Sequence, residues 1–190
     1  MPRDRFSELA IDAILALPQD LKVVLRMVED AEVGDESRVA LAGALLHVLS
    51  SGNAIPGVRG VLQRVGDVLL LRLVLERIAA ESSDAFTRHR EESADMLGPL
   101  EDELAAARAY LGDGMRVLEH MAAGMASVNH QGHVARACAL ELEENNWLYD
   151  AVHEAMIEEL DFDEDELERE MRKVDRVRDA LVTRAQSLTS

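Results

Sequence analysis

From Leu97 to Val128 the chain repeats apolar or small residues at alternating intervals of three and four: Leu97, Leu100, Leu104, Ala107, Leu111, Gly114, Leu118, Met121, Met125 and Val128. That spacing lays them along one stripe of an α-helix. A strand, whose side chains alternate with period two, would scatter them over both faces. A second row runs Leu167, Met171, Val174, Arg178, Leu181, Ala185 and Leu188, with Arg178 its only charge. Aromatic residues make up 3% of the chain while hydrophobic residues make up 48%. This composition, rich in Ala, Leu, Val, Glu and Arg, belongs to helices rather than sheets. The expected class is all-α, a compact helical bundle followed by a long-helix antiparallel hairpin or coiled-coil-like module.

The rest of the chain divides on the same logic. Residues 4–17 read as a helix, and Pro18 opens a second at 18–31, with Leu21, Val24, Leu25 and Val28 on one face. Gly34 ends it. Residues 38–50 are apolar nearly all round, so they belong in a core. A hinge follows, "SSGNAIPGVRG" (50–60), then a short helix at 57–65 and a break at Gly66-Asp67. Asp67 is expected to cap a helix at 68–81, and "ESSD" (81–84) to close that helix and cap the next. Gly112-Asp113-Gly114 should kink the first long seam. "VNHQGH" (128–133) reads as a turn, 134–160 as a helix, 161–165 as a turn with Asp163 and Glu166 paired as in a capping box, and 164–188 as the last helix. No strand signal and no repeat is visible. A boundary near 82–98 would separate a helical domain at 1–82 from an acidic helical hairpin or three-helix module at 83–190.

Charge separates the same two parts. Residues 1–80 carry 9 basic and 11 acidic side chains, and residues 81–190 carry 11 basic and 26 acidic, within a net charge of −17. The second part would repel a phosphate backbone, so no nucleic-acid partner is expected. The single cysteine, Cys138, forms no intramolecular disulfide. The start "MPRDRFSELAID" lacks the apolar core of a signal peptide, and no apolar run reaches the roughly 20 residues of a spanning helix. A cytoplasmic protein is expected.

The order of apolar helix, hinge, short helix and second apolar helix resembles the YkvA-like family, a small bacterial domain of unknown function. The family's core runs roughly "LLYLISPIDLIPDFIP–LGYLDDALVL", and residues 45–71 here read "LLHVLSSGNAIPGVRGVLQRVGDVLLL". Leu45, Leu46, Ser50, Ile55, Pro56 and Asp67 match, and the resemblance covers about residues 18–80. The family's acidic positions fall on Asn53, Gly57, Gly66 and Asp67, so three of its four carboxylates are replaced. Were those acids to bind a cation in the family, this chain would lack the set. What remains, Ser50, Asn53, Ile55, Pro56 and Asp67, is read as a structural hinge reversing the chain between two core helices.

Other constellations fall short of their chemistry. His120, His130, His133 and His153 with Cys138 lack the paired spacing of a zinc site. Asp150-x-x-His153 lies near Glu141, Glu144 and Glu154, but a di-iron bundle needs Glu-x-x-His twice, and the chain contains none. "DFDEDELEREMR" (161–172) has Glu166 and Arg172 where a calcium loop needs Gly and a bidentate Glu. No cofactor, metal or catalytic residue is assigned. The outlying feature is acid density: residues 141–170 hold 14 acids and one Arg. The expected role is therefore a non-enzymatic interaction or scaffold protein, with a protein partner or a second copy of itself. Its interaction surface is placed at Glu141, Glu144, Glu158, Glu159, Asp161, Asp163 and Arg178. Two alternatives are a peripheral membrane-associated protein using the apolar helix-hinge-helix 39–80, and a metal-dependent helical-bundle enzyme.

Overall fold

The computed structural model describes residues 1–50, 52–81 and 84–188, the side chain of Leu188 excepted. Ser51 of the hinge, the Ser82-Ser83 pair expected to cap a helix, and the Leu188 side chain of the second seam lie outside the described residues. Among the described residues the fold is all-α apart from one minimal hairpin.

Helix α1 spans Pro2–Glu29 without interruption at Pro18, where two helices were expected. Proline forfeits the bond to the carbonyl four residues earlier, at a cost of about 3 kcal/mol. The apolar stripe carries across it, however, and Ile14, Leu17, Leu21, Val24 and Val28 are all buried on one side. Burying each of them contributes about 1.5–3 kcal/mol. The stripe outweighs the lost bond. Helix α2, Asp35–Leu49, starts earlier than its apolar run, with Asp35 and Glu36 in the first turn against the helix dipole. After the hinge, a 3₁₀ turn at Gly60–Gln63 leads into α3, Arg64–Ala80. The expected break at Gly66-Asp67 is absent. Gly66 sits inside α3 because the hinge packs on it: a side chain there would meet Ala54 at 2.9 Å and Ile55 at 3.2 Å. Asp67 is correspondingly no cap, but a buried residue in the first turn.

Helices α4 (Asp84–Glu92), α5 (Ala94–Leu97), α6 (Leu100–Leu111) and α7 (Met115–Ala123) follow. The expected kink falls at a 3₁₀ turn, Gly112–Gly114, with Gly112 at φ +54°. The expected turn at 128–133 is a hairpin, β1 (Asn129–His130) paired with β2 (His133–Val134). Its two-residue loop takes positive φ at both Gln131 and Gly132, as a primed turn requires. Strands of two residues are too short to show a sequence period. Where one helix was expected at 134–160, α8 (Ala135–Leu140) and α9 (Leu142–Glu158) are separated by an extended Glu141. The last carbonyls of α8 are satisfied from elsewhere: Asn145 donates to the Cys138 carbonyl and Arg38 donates to the Ala139 carbonyl. The last expected helix is likewise broken, into α10 (Glu164–Met171) and α11 (Asp175–Leu188). Asp163 caps α10, accepting from the Glu166 amide at 2.8 Å, as the capping pattern requires.

A single hydrophobic cluster runs from Phe6 to Ala185, and a boundary near 82 does not divide it. The 97–128 seam closes on the first-half helices, α6 against α1 and α7 against α3, and also on α11, which packs at the Gly112–Gly114 turn, where a Cβ on Gly114 would stand 2.8 Å from Leu181. The second seam is buried at Leu167, Met171, Val174, Leu181 and Ala185 on both sides of the break at 172–174; Val177 takes the inward place beside Arg178, which turns outward. At the centre Arg72, 2% exposed, lies between Asp20 and Glu103.

Candidate docking surface on helix α9

The acids read as an interaction surface do not form one patch. Glu144 is occupied, its Oε2 lying 2.6 Å from His133 Nδ1. Asp163 is a cap, and Glu141 lies at the α8–α9 break. Arg178 makes no contact with the acids of 141–170. It pairs with Asp175 and Asp179 of its own helix, and its guanidinium lies 5.3 Å from the centre of the Tyr110 ring. Asp161 is exposed. Glu158 and Glu159 do come together, beside a residue that sequence reasoning passed over, Trp147.

Trp147 is held from the hairpin. The His133 ring stacks on it at 3.5 Å between centroids and 9° between planes, and the Glu144 contact fixes His133 in turn. His130 lies 6.5 Å from the same indole. Between the hairpin tip, the end of α2 and the flank of α9 there is an open cavity of about 270 Å³, bounded by Leu49, His130, Trp147, Glu154, Glu158 and Glu159. None of its lining residues is Lys or Arg.

The opposite flank of α9 is apolar and uncovered. Leu142 is 76% exposed, Tyr149 44% and Ile157 80%. At 100° per residue these fall on one stripe, while Glu143 and Asp150 lie between that stripe and Trp147, and Glu154 and Glu158 line the Trp147 cavity itself. The His153 ring lies tilted against Tyr149, 4.1 Å between centroids, and its Nδ1–H donates to the Tyr149 carbonyl. Clefts of about 380 and 440 Å³ border the stripe, the first between Tyr149 and Lys22, Leu25 and Arg26 of α1, the second between Leu142 and Arg38. The signal available in sequence was the apolar spacing 142, 149 and 157, out of phase with the core positions Leu148, Val152 and Ala155 of the same helix.

The hinge residues have structural occupations. Ser50 Oγ donates to the His47 carbonyl and accepts from the Gly52 amide. Asn53 bridges the loop, Oδ1 accepting from the Ile55 amide and Nδ2 donating to the Val58 carbonyl at 2.6 Å. Pro56 and Gly57, the latter at φ +79°, form a turn closed by the Val58 amide on the Ile55 carbonyl. Ile55 is the buried anchor. Asp67, beneath the hinge, accepts from Arg64 at 2.9 Å, and its other oxygen lies 3.5 Å from His47 Nε2. Arg64 also reaches to 3.9 Å from Glu159, so this polar group adjoins the Trp147 cavity. The histidines do not converge. Among the described residues no three His, Cys, Asp or Glu side chains are placed to hold one metal ion. Cys138 is buried, and its thiol is pushed up to about 11 by burial and then by Glu144.

No family model matches the chain. No curated protein and no solved structure is significantly similar to it.

Proposed function

We propose that this chain is a non-enzymatic interaction protein whose helix α9 docks a basic, amphipathic segment of another protein. The observation that carries this reading is the stripe of Leu142, Tyr149 and Ile157, left uncovered beside a row of carboxylates. Large apolar side chains aligned on one helix face and rimmed by charge mark a site of association. The acids set the sign of the partner. A second copy is the weaker occupant, because two chains of net charge −17 would bring acidic rows face to face.

The apolar segments at 39–80, the basis of the membrane reading, lie inward: Leu41, Leu45, Leu46, Leu70 and Leu71 are at most 1% exposed. Among the described residues no helix is long and apolar enough to cross a membrane. The resemblance of residues 18–80 to the YkvA-like family supports the helix-hinge-helix frame and adds no activity, since Asn53, Gly57 and Gly66 stand at three of its acidic positions.

Calorimetric titration of the full chain with a lysine- and leucine-rich amphipathic peptide tests the proposal. Binding should weaken with salt and should weaken at least tenfold in Leu142→Ser/Ile157→Ser, whose outward residues leave the melt unchanged. Absence of binding at low salt, or equal binding of an acidic peptide, overturns it.

A further inference from the structure

We infer that the Trp147 cavity receives the guanidinium of an arginine presented by the docked segment. The inference rests on the docking reading above and names the anchor of that contact.

Three features of the cavity select this ligand. First, its wall carries an indole beside the His130 ring, and the indole is the ring on which a cation gains most from a π-face. His133, stacked on it and tied to Glu144, fixes the plane of that wall before any partner arrives. Second, Glu154, Glu158 and Glu159 flank the indole, and among the described residues only Glu159 of the three has an ion-pair partner, Arg64 at 3.9 Å. Charge complementarity therefore calls for an incoming cation. Third, the space, about 270 Å³ and open to solvent, lies between a flat ring and carboxylates. A planar guanidinium can stack and fork its N–H groups onto carboxylates at once, whereas an ammonium offers only a point charge. The protein itself uses the same chemistry elsewhere. Arg178 lies over the Tyr110 ring while pairing with Asp175 and Asp179.

Geometry connects the cavity to the stripe. Both belong to α9, with Asp150 and Glu143 between the stripe and the indole and Glu154 and Glu158 at the cavity itself, so a segment lying along the helix can cover Ile157 and Tyr149 and reach the cavity with one long side chain.

Trp147 is the only tryptophan of the chain, so its emission reports on this cavity alone. The test uses the full chain and three amphipathic peptides differing at one central position, carrying arginine, its neutral isostere citrulline, or lysine. The arginine peptide should shift the emission saturably and bind at least tenfold more tightly than the citrulline peptide, with lysine between. Glu154→Gln/Glu158→Gln changes only exposed side chains, and should bring the arginine-to-citrulline ratio close to one. Equal binding of arginine and citrulline peptides, or binding with no change at Trp147, overturns the cavity assignment and leaves the docking reading standing. Lysine binding as tightly as arginine overturns the guanidinium. If none of the peptides binds, both readings fail together.

Discussion

Gly43 of α2 lies directly on the backbone carbonyl of Met125: a Cβ on Gly43 would stand 1.8 Å from that oxygen. The contact joins the most apolar helix of the first half to the turn that precedes the hairpin, and through it to the element carrying Trp147. Backbone cannot move aside as a flexible side chain can. Gly43→Ala should therefore cost about 3 kcal/mol, the upper part of the range for overpacking. For a chain of this length that lowers the melting temperature by roughly 10 °C. Circular dichroism melts check it. A variant melting with the wild type would mean that α2 and the Met125 turn do not approach this closely.

Arg72 holds two carboxylates in the core, Nη2 donating to Asp20 at 2.8 Å and Nε donating to Glu103 at 2.5 Å. Burial raises the Asp20 carboxyl above its ordinary 3.8, against the pull of Arg72. Native Asp20 thus keeps its proton to higher pH than the unfolded chain does. From pH 3.8 upward the native state binds more protons, and stability falls as pH rises. Asp20→Asn removes that titration. In urea unfolding across a pH series, the wild type should lose ground to Asp20→Asn as pH rises from below 3.8. The opposite slope would show that the ion pair with Arg72 governs instead.

Cys138 should be inert in the folded protein. It is fully buried and its thiol is pushed up to about 11. The thiolate is the reactive form, so at mildly alkaline pH the native protein should react with Ellman's reagent roughly a hundredfold more slowly than the urea-unfolded chain. Rapid labelling of the native protein would place the α8 cysteine at the surface.

Asn53 is both donor and acceptor in the hinge, Nδ2 and Oδ1 of one amide filling the two roles. Asn53→Ala should cost about 1–2 kcal/mol. Asn53→Asp keeps the acceptor but cannot donate to the Val58 carbonyl, so it should also destabilise. Thermal melts of the two variants decide this. A neutral Asn53→Asp would show that the hinge tolerates a carboxylate there.

What could be read from the sequence is what local chemistry fixes. The three-and-four spacing gave helices, and the apolar runs at 39–49 and 67–80 are buried. Gly112 marks a kink through its positive φ, and Asp163 caps α10 through a bond to a residue three positions on. Each of these depends on a few neighbouring residues.

What only the tertiary structure decided depends on partners far along the chain. Pro18 continues a helix because its apolar flanks are buried on one core, and Gly66 admits a hinge rather than ending a helix. α8 ends at Glu141 where Arg38, more than a hundred positions away in sequence from that glutamate, supplies a donor to its last turn. Arg178 faces outward where Val177 takes the buried place and Asp179 and the Tyr110 ring receive the guanidinium, and Trp147 lines a cavity because the hairpin lays His133 on it. Helical periodicity states which residues share a face. It does not state what that face meets, since burial and hydrogen-bond satisfaction are settled between segments, and those contacts form only once the whole chain has packed.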